Sequence, residues 1–121
     1  MKFEGTGLED KVYDITLLQK VLGEFHLLQR EQWDYERVSF DRKFELVDTK
    51  EVYYLRVQGY AVEGNVDSKH AKIKLLKPIL GKHYYPHGVE YGEDEVFPKN
   101  IVEKSRSILE AVSKKLAEAT K

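Results

Sequence analysis

The spacing of apolar positions changes twice along the chain, from helical to twofold and back to helical. A short strand is expected through Val12-Tyr13-Asp14-Ile15, followed by Leu17, Leu18, Val21, Leu22 and Phe25 on one helical stripe. Thr16 fits the N-cap of this short helix, with Gln19 at the capping-box position, and Gly23 weakens its last turn. From His26 to Pro78 the period is two. Leu28 opens the strand region, and Arg30-Glu31-Gln32 reads as a turn before Trp33. Val38, Phe40, Phe44 and Leu46 then alternate with Ser39, Asp41, Lys43 and Glu45. Tyr53, Leu55, Val57 and Ala61 alternate with Tyr54, Arg56, Gln58 and Tyr60, and Ala71, Ile73 and Leu75 with His70, Lys72 and Lys74. The last segment returns to helical spacing: Ile101, Ser105, Ile108, Val112 and Leu116, broadened by Val102 and Leu109. Pro98 suits a helix start, Asn100 can cap it, and Glu103 stands at the capping-box position. A helix of about 20 residues is about 30 Å long, enough to cross a small domain.

The expected fold is therefore α+β, in the order β-α-β-β-β-β-α: a curved antiparallel sheet packed by a short N-terminal and a long C-terminal helix. Register can be argued as well. If Val47 pairs with Val52, Phe44 opposes Leu55, Arg42 opposes Val57 and Val38 opposes Ala61, so the apolar residues share one face. Asp41, Lys43 and Glu45 then oppose Gln58, Arg56 and Tyr54 on the other face. Asp34 and Glu36 share one strand face, and the carboxylates Asp34, Glu36 and Asp41, which acid–base or hard-cation chemistry could use, read as solvated strand charges. Arg42 is the exception, aimed at the apolar face.

Composition narrows the class. The 121 residues, 41% hydrophobic and 12% aromatic, fit a single domain over 1–121 with a real core, without linker or repeat. The chain holds no cysteine, which excludes disulfides and thiolate sites. No window has the apolar length of a membrane span, and Met1-Lys2-Phe3-Glu4 lacks the apolar core of a signal peptide, so a cytoplasmic protein without membrane association is expected. A net charge of −1 argues against nucleic acid as a partner. That charge is split: residues 1–67 carry 9 Lys/Arg against 14 Asp/Glu, and residues 68–121 carry 11 against 7. A balanced solvated surface accounts for such blocks, and complementary patches in a homodimer are the sharper reading.

Two features carry candidate chemistry. The run from Gly81 to Gly92 holds His83, Tyr84, Tyr85, His87, Glu90 and Tyr91. It is expected to be a long loop, either a structural lid or the wall of a polar-aromatic pocket. Pro86 and Gly88 break the helical geometry that would make His83 and His87 a zinc pair, so no metal or cofactor is expected. Arg42 is the second feature. A guanidinium on an apolar face needs an anionic partner, supplied by a small ligand or by Glu103 or Glu110 of the last helix. Together these give a tentative ligand site of Arg42 with His83, Tyr84, Tyr85, His87, Glu90 and Tyr91. Lys72 and Lys74 are expected to guard a sheet edge.

The chain also resembles the YugN-like family of small uncharacterised bacterial proteins. The resemblance is carried by Lys2-Phe3-Glu4 with Thr6-Gly7-Leu8-Glu9, by Trp33 to Val38 with Asp41 to Glu45, by Tyr54 to Val57 with Gly59 to Gly64, and by Leu80 to Gly92. It implies a TBP-like curved sheet with helices on one side. It brings no activity, cofactor or catalytic residue. The expected function is a non-catalytic small-ligand-binding or regulatory domain taking a small anionic ligand. A homodimeric interaction module is the alternative, and an enzyme with a His/carboxylate site the weaker one.

Overall fold

In the computed structural model, residues 1–30, 34–84, 88–91 and 96–120 are described, Glu90 by its backbone alone. Their elements run β1 (Val12–Asp14), α1 (Ile15–Glu24), β2 (Leu28–Gln29), β3 (Arg37–Glu45), β4 (Val52–Glu63), β5 (Lys72–Leu75), β6 (Ile79–Tyr84), β7 (Gly88–Glu90) and α2 (Lys99–Ala119). All the described strand pairs are antiparallel and belong to one sheet. The fold is the α+β arrangement expected, an open antiparallel sheet with a short helix and a long C-terminal one.

Strand β4 is the spine. One side pairs with β3 from Arg37↔Tyr60 to Glu45↔Val52. Its other side is shared: Val52 to Arg56 pair with β6, and Gly59 to Glu63 pair with β5. The break between β5 and β6 falls at Leu76-Lys77-Pro78. Pro78 has no N–H to give to a ladder, and its carbonyl accepts from the Phe3 N–H instead at 2.9 Å. Gly59 lets β5 come close, since a Cβ there would lie 2.6 Å from the Lys74 carbonyl oxygen.

Alternation places the core on one face. Val38, Phe40 and Phe44 of β3 and Tyr53, Leu55 and Val57 of β4 are buried together with Leu18, Val21 and Leu22 of α1. Ile101, Ser105, Ile108, Leu109, Val112 and Leu116 of α2 are buried as well, which is the expected stripe. The opposite sheet face carries Arg37, Ser39, Asp41, Tyr54, Arg56 and Tyr60, and we call it the outer face.

Several expectations need correction. The β3–β4 register is two residues shorter than expected: Arg42 faces Leu55, and Phe44 faces Tyr53. A shift of two preserves both faces, so the hydrophobic pattern alone could not detect it. The expected register also put Lys43 opposite Arg56, an unfavourable like-charge pair, whereas the structure pairs Asp41 with Arg56. The turn of residues 46–51 closes by Leu46 N–H to Glu51 O at 2.9 Å, with Lys50 at φ 60°. The segment expected as a long loop holds the second part of β6 and all of β7, so β2 to β7 make six described strands between the helices rather than four. Lys72 and Lys74 lie on an inner strand covered by β1, where they pair with Asp14 and Asp10.

Both helix starts also differ. Helix α1 begins at Ile15, with Asp14 rather than Thr16 at the N-cap, and Gln19 Nε2 donates to Gln29 Oε1 at 2.7 Å instead of closing a capping box. Helix α2 begins at Lys99 after Pro98, without the Asn100 side-chain cap. The expected turn at residues 30–32 before Trp33 lies mostly outside the described residues.

Candidate functional site

Arg42 projects to the helix side of the sheet, as the alternation of β3 requires. Its Nη1 donates to the Phe25 carbonyl at 2.9 Å, and its guanidinium carbon sits 5.3 Å from the centroid of the Phe44 ring. Phe25 is the C-cap of α1, so the cation meets an unpaired carbonyl at the negative end of a helix. A backbone carbonyl, rather than Glu103 or Glu110, is therefore its described partner.

The other sequence-predicted site residues divide between the two faces. His83 stands on the outer face, edge-on to Tyr54 with centroids 6.2 Å apart. Tyr84 is half-buried and packs under Lys82 Nζ, 5.0 Å from its ring centroid. Tyr91 covers Gly81 on the outer face; a Cβ on Gly81 would lie 2.5 Å from its ring. Glu90 pairs with Lys82 through β7. Tyr85 and His87 lie outside the described residues. Arg42 and the pair His83 and Tyr91 are thus on opposite faces, and the sheet separates them. Among the described residues, no three His, Asp or Glu side chains gather closely enough to hold a metal ion. No described helix is long and apolar enough to cross a membrane.

What the twofold pattern concealed is Asp41. It lies on the outer face, yet its side chain is only 5% exposed. Arg56, directly opposite on β4, reaches it twice: Nε to Oδ1 at 2.8 Å and Nη2 to Oδ2 at 2.9 Å. Arg30 Nη1 adds a bond to Oδ2 at 3.1 Å. The Asp41 carboxylate raises the Arg56 pKa above its ordinary value through this hydrogen bonding, despite the opposing effect of burial. Tyr91 closes the group, its ring centroid 5.3 Å from the Arg56 guanidinium carbon. Its hydroxyl is buried and has no hydrogen-bond partner among the described residues, and burial pushes its pKa up.

Arg30 links this group to a cleft of about 760 Å³ at the end of the sheet. Thr16 and Gln19 from the first turns of α1, Gln29 at the end of β2 and Arg30 after it, Arg37 at the start of β3, and Ser68 and Lys69 from the β4–β5 connection supply its polar lining. Ile15, Tyr35, Val38 and Val66 make the apolar part. Two carboxylates, Asp34 and Asp67, also line it; Asp34 Oδ1 accepts from the Glu36 and Arg37 amides at 2.8 and 3.2 Å, and Asp67 is exposed. The Arg37 and Lys69 side chains have no acidic partner among the described residues. Asp14 gives its carboxylate to Lys72 and makes no cap bond to α1; the Ile15 amide donates to the Ala71 carbonyl at 3.0 Å, and the amides that follow it in the first turn keep their partial positive charge. A second groove of about 550 Å³ runs along the outer face between Arg37, Arg56, Gln58, Tyr60 and Leu76. Arg37 borders both.

None of Arg30, Arg37, Lys69 and Thr16 forms a sequence motif. They come from four separate segments and meet only through the sheet and helix packing. Only Asp41 left a readable trace, because a charge-matched register would have placed it against Arg56.

Comparison with known proteins agrees with this architecture. The chain is 45% identical over 116 residues to the uncharacterized protein YlbA of Bacillus subtilis, an alignment covering 96% of this chain and 95% of that protein. The crystal structure of the uncharacterized conserved protein YugN from Geobacillus kaustophilus superposes with a TM-score of 0.86 at 49% identity, covering 99% of this chain and 98% of the other. The model of the YugN-like family matches residues 5–112, and the chain belongs to that family.

Proposed function

We propose that this protein is a non-catalytic ligand-binding or regulatory domain, working in the cytoplasm, that takes a small anionic ligand in the cleft between α1 and the starts of β3 and β5. The observation that carries the reading is the convergence of Arg30, Arg37 and Lys69, against two carboxylates, Asp34 and Asp67, on one concavity of about 760 Å³. That volume falls within the roughly 300–1,000 Å³ of ordinary small-molecule sites. The uncapped start of α1 adds amide dipoles of the right sign. Ile15, Val38 and Val66 provide apolar surface for the uncharged part of the ligand. This reading moves the expected anion site away from Arg42, whose guanidinium already serves the α1 C-terminus.

Calorimetric titration with inorganic phosphate, with sodium chloride at equal ionic strength as control, tests it. Saturable binding that falls at least tenfold in Arg37→Ala and Lys69→Ala supports the cleft. Equal heats from phosphate and chloride contradict it.

A second reading, a homodimer through the outer face, has its own support. Tyr60 and Leu76 are 37% and 39% exposed, and Val12 and Val62 are 47% and 51% exposed. Tyr60 faces Lys74 across the sheet, and Lys74 faces Val12, so these residues share one end of it. Sedimentation equilibrium decides this: a concentration-dependent dimer weakened by Tyr60→Glu supports it, and a monomer at high concentration removes it.

A further inference from the structure

We infer that Asp41 is a positioning residue, holding Arg30 in the orientation in which it meets an anion in the cleft. The inference rests on the anion-cleft reading above. Arg30 is a long side chain, 51% exposed, following a strand of two residues at the sheet border. Left to itself, such a side chain samples many rotamers, and ordering it on binding would weaken affinity. Its Nη1 is instead fixed at 3.1 Å to a carboxylate whose own side chain is almost fully buried. A guanidinium has five N–H donors, so one anchored bond leaves others for a ligand.

A carboxylate beside an anion site would ordinarily repel the ligand, and the geometry answers that objection. Arg56 binds both oxygens of Asp41, at 2.8 and 2.9 Å, from the strand directly opposite. With one carboxylate between two guanidiniums, the trio carries a net positive charge. Asp41 anchors Arg30 without cancelling it. Tyr91 lies against Arg56, its ring centroid 5.3 Å from the guanidinium carbon, which keeps the anchor itself packed.

The test separates positioning from simple charge by the sign of its effect. Asp41→Asn removes a negative charge near the cleft, so a purely electrostatic role predicts tighter phosphate binding. Positioning predicts the opposite, a loss of about fivefold, the scale set by freeing one rotamer-rich side chain. Asp41→Glu keeps the charge and displaces the carboxylate by one methylene; the same loss is expected, and this variant decides the matter if Asp41→Asn does not fold. In an Arg30→Ala background, neither change should weaken phosphate binding further. Affinity unchanged or tighter in both variants overturns the inference, as does an equal loss with and without Arg30. If the unaltered protein binds phosphate and Arg30→Ala weakens it, the cleft stands whichever way the Asp41 variants read. If the unaltered protein does not bind phosphate, the cleft reading and this inference fall together.

Discussion

Asp41 and Arg56 face each other across the β3–β4 ladder, and both carboxylate oxygens are engaged by one guanidinium at 2.8 and 2.9 Å. Because Asp41 is almost wholly withdrawn from water, breaking the pair exposes the usual asymmetry of buried ions. Removing one partner leaves the other desolvated and unpaired, at a cost of about 3 kcal/mol or more, whereas the intact pair adds little net stability. Arg30 softens this for Arg56, since Asp41 retains a second cation. Arg56→Met is therefore expected to destabilise the protein by about 2 kcal/mol in urea unfolding. A change within about 0.5 kcal/mol would mean that the pair behaves as an exposed one.

Glu51 and Tyr53 are expected to contribute to the pH dependence of stability, one at the acid end and one at the alkaline end. Glu51 accepts hydrogen bonds from Lys82 and Tyr53, which with Thr49 lower its carboxyl from 4.5 to about 2. A depressed carboxyl contributes stability above its unfolded pKa and loses it as pH falls through the folded one. The loss should run from about pH 4.5 down to about pH 2. Burial, then the bond to Glu51, pushes the Tyr53 hydroxyl up to about 12. That contribution is present below pH 10 and disappears as pH rises from 10 toward 12. Melting curves of Glu51→Gln should converge on those of the parent as pH falls below 4. A constant gap from pH 6 to pH 2.5 would exclude this source.

Ser105 occupies a wholly buried position on α2, and its hydroxyl has no hydrogen-bond partner among the described residues. Ser105→Ala removes an unpaired polar group from the core and installs a better helix former. It is expected to stabilise the protein by about 1 kcal/mol. Loss of stability in urea unfolding would show that the hydroxyl is bonded.

Gly81 is held to glycine by its neighbours. A Cβ there would lie 2.5 Å from the Tyr91 ring and 2.6 Å from Val89 Cγ1. Gly81→Ala should destabilise by about 1–3 kcal/mol by overpacking, and should displace Tyr91 from Arg56. Loss of Tyr91–Arg56 cross-peaks in nuclear Overhauser spectra, beside the shift in urea midpoint, checks both parts. Unchanged cross-peaks would place the strain elsewhere.

How far the sequence could be read follows from what each signal measures. The α2 stripe from Ile101 to Leu116 and the alternation in β3 and β4 report burial directly, and the structure matches them. Register is a weaker signal, because a shift of two leaves every side chain on its own face. The β6–β7 pairing escaped because Gly81, Pro86 and Gly88 resemble loop residues, while Gly81 in fact makes room for Tyr91. Arg42 was correctly placed on the apolar face, but its partner is a helix-terminal carbonyl that no side-chain pattern announces. The cleft was invisible for a topological reason: Thr16, Arg30, Arg37 and Lys69 are brought together only by the tertiary fold.

The anion cleft is tested most directly by a residue-resolved nuclear magnetic resonance titration with inorganic phosphate, against sodium chloride at equal ionic strength. Saturable shifts concentrated at Thr16, Gln19, Arg30, Arg37, Ser68 and Lys69, and absent in chloride, are the predicted result. Shifts scattered over the surface, or centred on Arg42 and the helix side of the sheet, would contradict it.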